Sequence, residues 1–329
     1  MSRPRVGFLG TGWIGRHRMQ AIVDTGMVEA AAICDPSDEC VAEAQAIAPA
    51  AAAVPSLQAM LDLGLDGVVI ASPSALHAAQ SLEALGRGAA VFCQKPLGRD
   101  AGEVAAVIDA ARHADRLLGV DLSYRHTAAT EAMAGPIRSG ELGTIYAVDL
   151  TFHNAYGPDK PWFYDRAQSG GGCVIDLGVH LIDLALWLLD FPAVENVTAR
   201  LFAGGVPLAR APGQVEDFAT ARLDLATGTA VQLACSWNLP AGRDAVIEAA
   251  FYGTKGAVTF RNVAGSFYDF EAFRHYGTQA QPIANPPDDW GTRAAAAWAR
   301  QLAQSPAFDP AAERLLDVTQ VLDRIYAAG

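Results

Sequence analysis

The segment Gly10-Thr11-Gly12-Trp13-Ile14-Gly15 directly follows an apolar run, Arg5–Leu9, and precedes a stretch with helical periodicity. The order strand, G-x-G-x-x-G and helix is typical of a dinucleotide-binding turn. In such a turn the first glycine makes the tight bend, the second lets the backbone approach a pyrophosphate, and the third lets the helix pack closely on the strand. All six residues are therefore predicted to bind a dinucleotide.

Asp35 ends the second predicted strand, 20 residues after Gly15. A carboxylate in this position accepts hydrogen bonds from the adenosine ribose and repels a 2′-phosphate. The four residues that follow it include two more acids and no arginine. We therefore expect NAD to be the cofactor in preference to NADP.

Short apolar runs alternate with helical patterns as far as residue 122. The predicted strands are 5–9, 28–34, 66–72, 89–94 and 117–122, and the predicted helices are 14–25, 37–47, 74–85 and 101–113. This alternation is typical of βαβ units, whose strands form a parallel sheet covered by helices on both faces. Residues 1–122 are therefore predicted to form a Rossmann domain with a doubly wound sheet.

The pattern changes after residue 122. A helix (127–138) and a strand (144–153) precede a glycine turn, 170–172, that opens a helix at 174–189; five strands and two closing helices follow, the strands being 196–202, 216–225, 229–237, 245–252 and 257–261. Alternation of apolar and polar residues in these strands favours an antiparallel sheet with one open face. Residues 123–329 are predicted to form an α/β domain that carries the substrate site.

Charge and cysteine usage argue against several classes of protein. The 329 residues include 24 Lys and Arg and 36 Asp and Glu, for a net charge of −12. Such a chain has little with which to neutralise nucleic acid or an anionic membrane. The five cysteines show no metal-ligand spacing, and the apolar stretch 181–189 is short for a bilayer. Because no signal peptide is recognisable, we expect a cytoplasmic protein. The cysteine spacing predicts that it uses no metal.

Two further segments lie at the carboxyl ends of predicted strands. One contains Ser72, Pro73 and His77, and the other is Gln94-Lys95-Pro96. Because ligands of open parallel sheets bind outside these strand ends, we expect the first three residues and Lys95 to border the cofactor.

Asp176 and His180 stand four residues apart in the helix that follows the glycine turn. That spacing puts a carboxylate and an imidazole on one helical face, where the pair could handle a proton. An ion-paired helix surface is the alternative interpretation of the same spacing.

Taken together, these motifs resemble the glucose-fructose oxidoreductase/inositol dehydrogenase (Gfo/Idh/MocA) family over nearly the whole chain. The resemblance implies NAD(P)-dependent oxidation or reduction of a sugar, inositol or related polyol, with Lys95, Asp176 and His180 as the catalytic set. It also implies a homodimer or homotetramer that pairs through the open sheet, on which Trp237 and Phe251 are the expected contact residues. Two alternatives remain open: an NAD-dependent glycosidase and a non-enzymatic sugar-sensing regulator.

Roles within the catalytic set follow from their chemistry. His180 is the preferred base for the substrate hydroxyl, and Lys95 would stabilise the developing alkoxide. The reverse assignment, with Lys95 as the base, stays open. The family usually has Glu before this lysine; here Gln94, a neutral amide, favours the charged lysine less than a carboxylate would.

Aromatic and polar residues near the ends of predicted elements are candidates for contact with a polyhydroxylated ring. They are Tyr124, Arg125, His153, Tyr156 and Trp162, beside Lys95, Asp176 and His180 themselves. Because few cations accompany them, a neutral substrate is expected rather than a phosphorylated one.

Overall fold

The computed structural model describes residues 3–211 and 213–329. It divides into two compact units: the described residues up to Ser123 with Gly291–Leu316, and Tyr124–Trp290 with Asp317–Gly329. The sequence predicts a single domain for all of residues 123–329. The structure differs, because the segment from Gly291 to Leu316 returns to the first unit.

The elements of the first half are β1 (Arg5–Leu9), α1 (Trp13–Asp24), β2 (Glu29–Cys34), α2 (Asp38–Ile47), β3 (Ala52–Ala53), α3 (Leu57–Leu61), β4 (Gly67–Ile70), α4 (Ser74–Gly86), β5 (Ala90–Cys93), α5 (Ala101–Ala114) and β6 (Leu118–Val120). The later elements are α6 (Ala128–Arg138), β7 (Ile145–Asn154), α7 (Arg166–Ser169), a π-helical turn (Val174–Gly178), α8 (Val179–Leu188), β8 (Val194–Ala203), β9 (Val206–Pro207), β10 (Phe218–Leu225), β11 (Ala230–Ser236), β12 (Ala245–Gly253), β13 (Ala257–Asn262), β14 (Phe270–Tyr276), β15 (Gln279–Ala284), α9 (Arg293–Gln304) and α10 (Arg314–Ala328).

The first unit contains a six-stranded parallel sheet in the order β3-β2-β1-β4-β5-β6. Apolar side chains alternate between its faces, and each face has its own core. Phe8 and Phe92 pack with α1 and with Trp298 of α9, whereas Ile70 and Cys93 pack with α4 and α5. The predicted Rossmann fold is confirmed. The packing of α9 on one face of this sheet was not predicted.

The second unit contains a nine-stranded sheet in the order β15-β14-β13-β12-β7-β11-β10-β8-β9. Every neighbouring pair is antiparallel except β7 and β11, which run parallel. The predicted open, mostly antiparallel sheet is therefore confirmed, and β14 and β15 extend it beyond the predicted strands.

One face of this sheet packs on α8. Val148, Leu150 and Phe152 of β7 lie in the same core as that helix. Trp237 and Phe251 belong to this core as well, with 2% and 0% of their surface exposed. This burial corrects the expectation that these two residues form a contact surface for a second copy of the chain, because they face the helix and not the open side of the sheet.

Among the described residues, one helical run, Arg166–Leu188, is long and apolar enough to cross a membrane by length and composition. In the sequence alone, the apolar stretch 181–189 near the end of this run is short for a bilayer. Within the run, 89% of the most apolar window is buried inside the protein, as expected of a core helix.

Candidate active site

The predicted glycine turn connects β1 to α1. Gly10 has a φ of +82°, and a Cβ there would lie 2.6 Å from the backbone of Ala71. A Cβ on Gly15 would lie 2.0 Å from the carbonyl oxygen of Gly10. Both glycines are therefore required for α1 to start this close to the neighbouring strand.

Gly12 differs, because a Cβ there would meet no protein atom within 4 Å. It precedes α1, which has no side-chain cap and no acidic residue in its first turn. The amides that begin such a helix, together with the positive end of its dipole, favour a phosphate. Trp13 and Ile14 start this helix, and the exposed Trp13 ring stacks on His17. The turn thus fits the pyrophosphate of a dinucleotide.

Asp35 connects the end of β2 to the glycine turn. Its Oδ2 accepts a hydrogen bond from the Thr11 amide at 2.6 Å, and its Oδ1 accepts one from the Ser37 amide at 2.9 Å. Ser37, not Asp35, caps α2. Each carboxylate oxygen has a second lone pair with which it could accept a ribose hydroxyl.

His77 lies in α4 and is 1% exposed. Its two ring nitrogens lie 2.7 Å from the carbonyl oxygens of Ser72 and Pro96. Burial is the largest effect on this ring and lowers its pKa, although both carbonyls favour protonation. His77 therefore joins the loops that follow β4 and β5. Both ring nitrogens thus lie against backbone carbonyls, and a contact of His77 with the cofactor stays a prediction.

Lys95 lies half-buried in the loop after β5, next to a cis Lys95–Pro96 peptide bond. Ser72 and Pro73 lie in the loop after the neighbouring strand β4, where Pro73 precedes α4 and the Ser72 hydroxyl donates to Gln80. The predicted strand-end loops thus carry these residues.

Gln94 is buried and donates from Nε2 to Oδ2 of Asp121 at 2.5 Å. The same oxygen accepts a hydrogen bond from the buried Arg18 guanidinium at 2.5 Å, and Ser123 donates to the other oxygen. The Gln94 amide is therefore complementary to the carboxylate of Asp121, which directly follows β6. A glutamate at position 94 would place two carboxylates against each other.

In the second unit, Asp176 and His180 lie on the helix that follows the glycine turn. Asp176 is part of the π-helical turn, in which the Val179 amide donates to the carbonyl of Val174, five residues back. Such turns occur frequently at functional sites. Trp237, at the end of β11, donates from Nε1 to Oδ2 of Asp176 at 3.1 Å. Sequence reasoning missed this contact.

Aromatic rings surround His180. The ring of Tyr124 lies 4.8 Å from the imidazole between centroids, and that of Phe152 lies 6.4 Å away. Tyr124 is buried, and burial, with Asp176 nearby, raises the pKa of its hydroxyl. The tyrosine is thereby kept protonated beside the candidate base.

Arg125 pairs with the buried Asp183 through two hydrogen bonds. Burial raises the pKa of Asp183, and the guanidinium opposes this effect. The pair is also flanked by the rings of Trp187 and Phe191. Arg125 is therefore paired within its own unit, and its contact with substrate stays a prediction.

The remaining predicted substrate residues lie at the same end of β7. His153 bonds through Nδ1 to the Ser236 hydroxyl at 2.7 Å, and burial lowers the pKa of its ring. Tyr156 is 52% exposed. Trp162 stacks on Phe163, whose ring in turn contacts the indole of Trp237. The structure thus connects Trp162 to Asp176 through two aromatic rings.

Comparisons with known proteins identify the family and agree with the fold. Residues 4–122 match the sequence model of an oxidoreductase family with an NAD-binding Rossmann fold (GFO/IDH/MocA), and residues 131–259 match the GFO/IDH/MocA C-terminal domain.

Two curated relatives span most of the chain. D-glucoside 3-dehydrogenase of Escherichia coli (strain K12) is 28% identical over 78% of this chain and 76% of its own length. Inositol 2-dehydrogenase of Rhizobium meliloti (strain 1021) is 30% identical over the same shares of the two chains. A solved structure of levoglucosan dehydrogenase in complex with NADH and levoglucosan superimposes with a TM-score of 0.82 at 21% identity, covering 99% of this chain and 97% of that one.

Proposed function

The chain belongs to the GFO/IDH/MocA family of NAD-binding oxidoreductases, and on that basis we propose that it transfers a hydride between the nicotinamide and the CH–OH or C=O carbon of a sugar, inositol or related polyol. The observation that carries the proposal is the position of Asp176 and His180 four residues apart on one helix, with the carboxylate bonded to the Trp237 indole. Carboxylate and imidazole groups beside aromatic faces suit a polyhydroxylated ring.

We assign one role to each of three residues. His180 accepts the proton of the substrate hydroxyl during oxidation, and Lys95 donates a hydrogen bond to the same oxygen as its negative charge develops. Asp176 accepts a hydrogen bond from a second hydroxyl and thereby orients the ring. When bound, the cofactor supplies the hydride acceptor. In the reverse assignment Lys95 takes the proton and His180 orients the substrate.

The electrostatics of the second unit support a neutral substrate. The amides that open the helix of Asp176 donate to Glu216 and Tyr326, and Arg125 is paired with Asp183. Neither the helix N-terminus nor this arginine is thus left to hold a phosphate.

Asp35 supports NAD as the preferred cofactor, since its carboxylate disfavours a 2′-phosphate. We further propose a cytoplasmic homodimer or homotetramer formed through the open sheet face. That face carries Thr151 of β7, Thr220 of β10 and Ala234 of β11 in adjacent positions. These small side chains would allow a second sheet to approach closely.

The test is a screen of NAD and NADP reduction across aldoses, alkyl glucosides, inositols and other polyols, followed at 340 nm with wild type and His180→Ala. We expect NADH formation on at least one class and its loss in the variant. Release of reducing sugar without net NADH would instead identify a glycosidase. Ligand binding with no turnover of any kind would identify a regulator.

A further inference from the structure

The first four backbone amides of the helix that carries Asp176 and His180 donate to only two residues, Glu216 and Tyr326. The amides of Gly172 and Val174 each donate to Oε1 of Glu216 at 2.9 Å. The Cys173 amide donates to the backbone carbonyl of Glu216, also at 2.9 Å. The Ile175 amide donates to the hydroxyl of Tyr326 at 3.2 Å. These four are the groups that a helix leaves without partners in its own backbone.

Glu216 and Tyr326 are bonded to each other as well. The Tyr326 hydroxyl donates to Oε1 of Glu216 at 2.9 Å. Glu216 is 1% exposed, and burial raises the pKa of its carboxyl, while the donors from Val174, Tyr326 and Gly172 oppose the rise. We call the two side chains and their bonds to the helix the Glu216–Tyr326 clamp.

Two glycines make room for this clamp. A Cβ on Gly172 would lie 1.9 Å from the carbonyl oxygen of Glu216, and a Cβ on Gly171 would lie 2.0 Å from the hydroxyl oxygen of Tyr326. The glycine turn that opens the helix is thus required by the close approach of the clamp.

Capping from a distance distinguishes this helix from others in the chain. Helices α2, α3, α5 and α6 are each capped by the side chain that immediately precedes them: Ser37, Ser56, Asp100 and Thr127. The Glu216 side chain lies 44 and 42 residues from the two amides that it binds, and Tyr326 lies 151 residues from the one that it binds. A local cap would stabilise the helix equally well. A cap held by the segment just before β10 and by α10 also fixes where the helix begins relative to those elements.

The clamp is one helical turn from the candidate chemistry. The carbonyl of Gly172, whose amide is clamped, accepts the Asp176 amide at 3.1 Å. His180 follows Asp176 by one further turn. A shift of the clamped amides therefore moves both side chains.

We propose that Glu216 and Tyr326 are positioning residues that hold Asp176 and His180 in register for the reaction, an inference that rests on the function proposed above. A displacement of about 1 Å can cost roughly 100-fold in rate. The clamp therefore acts on turnover without touching substrate.

The test compares Tyr326→Phe, Glu216→Ala and the conservative Glu216→Gln, with Thr229→Val as the matched control. Thr229 is buried in the same unit, and its hydroxyl donates to the Ile145 carbonyl at 2.8 Å. Each variant is made alone and with His180→Ala, and kcat, KM and Tm are measured. The imidazole NMR signals of His180, assigned by their loss in His180→Ala, provide a readout that is independent of activity.

We expect kcat to fall roughly 10- to 100-fold in Tyr326→Phe and Glu216→Ala, with partial recovery in Glu216→Gln, which keeps one acceptor oxygen. Thr229→Val should lower Tm and leave kcat unchanged. With His180→Ala present, the clamp variants should cost little further kcat. If Glu216→Ala does not fold, Tyr326→Phe, which keeps the ring, decides the outcome.

The two proposals fail in different ways. If neither kcat nor the His180 signals change beyond the Thr229→Val control, the clamp does not position the site and the inference is overturned. If the His180 signals move while turnover stays normal, the clamp positions the helix but the proposed role of His180 is wrong.

Discussion

Nε1 of Trp237 donates a hydrogen bond to Oδ2 of Asp176 over 3.1 Å. The indole follows β11 and is almost fully buried, whereas the carboxylate is half-buried in a π-helical turn. The bond therefore fixes one carboxylate oxygen to the sheet. An acid that must orient a substrate hydroxyl gains a defined direction from this contact.

Trp237→Phe should keep the ring packing and remove the donor. Because a hydrogen bond to a charged group contributes about 1.5–3 kcal/mol, we expect kcat/KM for the polyol to fall by roughly 10-fold or more. Affinity for NADH should not change. Trp187→Phe is the control, because the Trp187 indole lies on α8 and packs under the guanidinium of Arg138. Equal losses in the two variants would count against an orienting role for Trp237.

Lys95→Ala and His180→Ala should each lower kcat far more than they weaken NADH binding. A general base contributes about 10²–10⁴-fold and an oxyanion donor about 10²–10³-fold. The losses should not multiply in the double variant, because both groups act on one proton transfer. Steady-state kinetics with saturating cofactor measure this. Near-normal turnover in His180→Ala would move the base to Lys95.

Asp35→Asn should weaken the preference for NAD. The variant keeps an oxygen for the Thr11 amide and loses the charge that repels a 2′-phosphate. We expect the ratio of kcat/KM for NAD to that for NADP to fall about tenfold, as the loss of one like-charge contact implies. Asp35→Ala, which also loses the bond to the turn, should weaken binding of both cofactors. An unchanged ratio in Asp35→Asn would contradict the assignment.

Gln94→Glu should destabilise the first unit. The new carboxylate would replace an amide donor 2.5 Å from Oδ2 of Asp121, among buried groups. We expect the free energy of unfolding in urea to fall by about 1–3 kcal/mol, the cost of a buried hydrogen bond left unmade. Adding Asp121→Asn should recover part of the loss, because it removes one of the two charges. A stable Gln94→Glu variant would show that the network can rearrange.

His77 should make stability depend on pH. Burial lowers the pKa of its ring, so the unfolded chain takes up a proton near pH 6.5 that the folded ring accepts only at lower pH. The free energy of unfolding therefore decreases as the pH falls through about 6.5, and increases as the pH rises. His77→Gln should be less stable at pH 7.5 but lose less stability between pH 7.5 and 5.5. Thr229→Val, which removes a buried hydroxyl and no titratable group, should keep the wild-type slope.

Local pattern sufficed to predict the Rossmann half of the chain. The run Arg5–Leu9, the glycine turn and Asp35 form one continuous unit, and the structure has the turn and helix where they were predicted. The same holds for Asp176 and His180, whose spacing alone puts them on one helix. Nothing comparable identifies their partners. Trp237 and Glu216 read as ordinary strand residues, because the sequence does not state which distant backbone or carboxylate a side chain meets.

The partners that side chains find in the folded protein are also what the sequence leaves open. Arg125 and His77 look available in the sequence, yet one is paired with Asp183 and the other with two carbonyl oxygens. Similarly, the alternating pattern of its strand does not tell whether Phe251 lies on the exposed or the buried face. Which side of a sheet faces the helix depends on where α8 packs, and that is a tertiary property.

The return of residues 291–316 to the first unit has a consequence for recombination between related genes. The indole of Trp298 in α9 lies 2.9 Å and 2.7 Å from where Cβ atoms on Gly67 and Gly119 would stand. A recombination event that exchanged only residues up to 123 between two relatives would carry both glycines and leave their tryptophan behind. Exchange of both stretches of the gene would keep this contact intact, whereas exchange of the first alone keeps it only where the two relatives share the tryptophan.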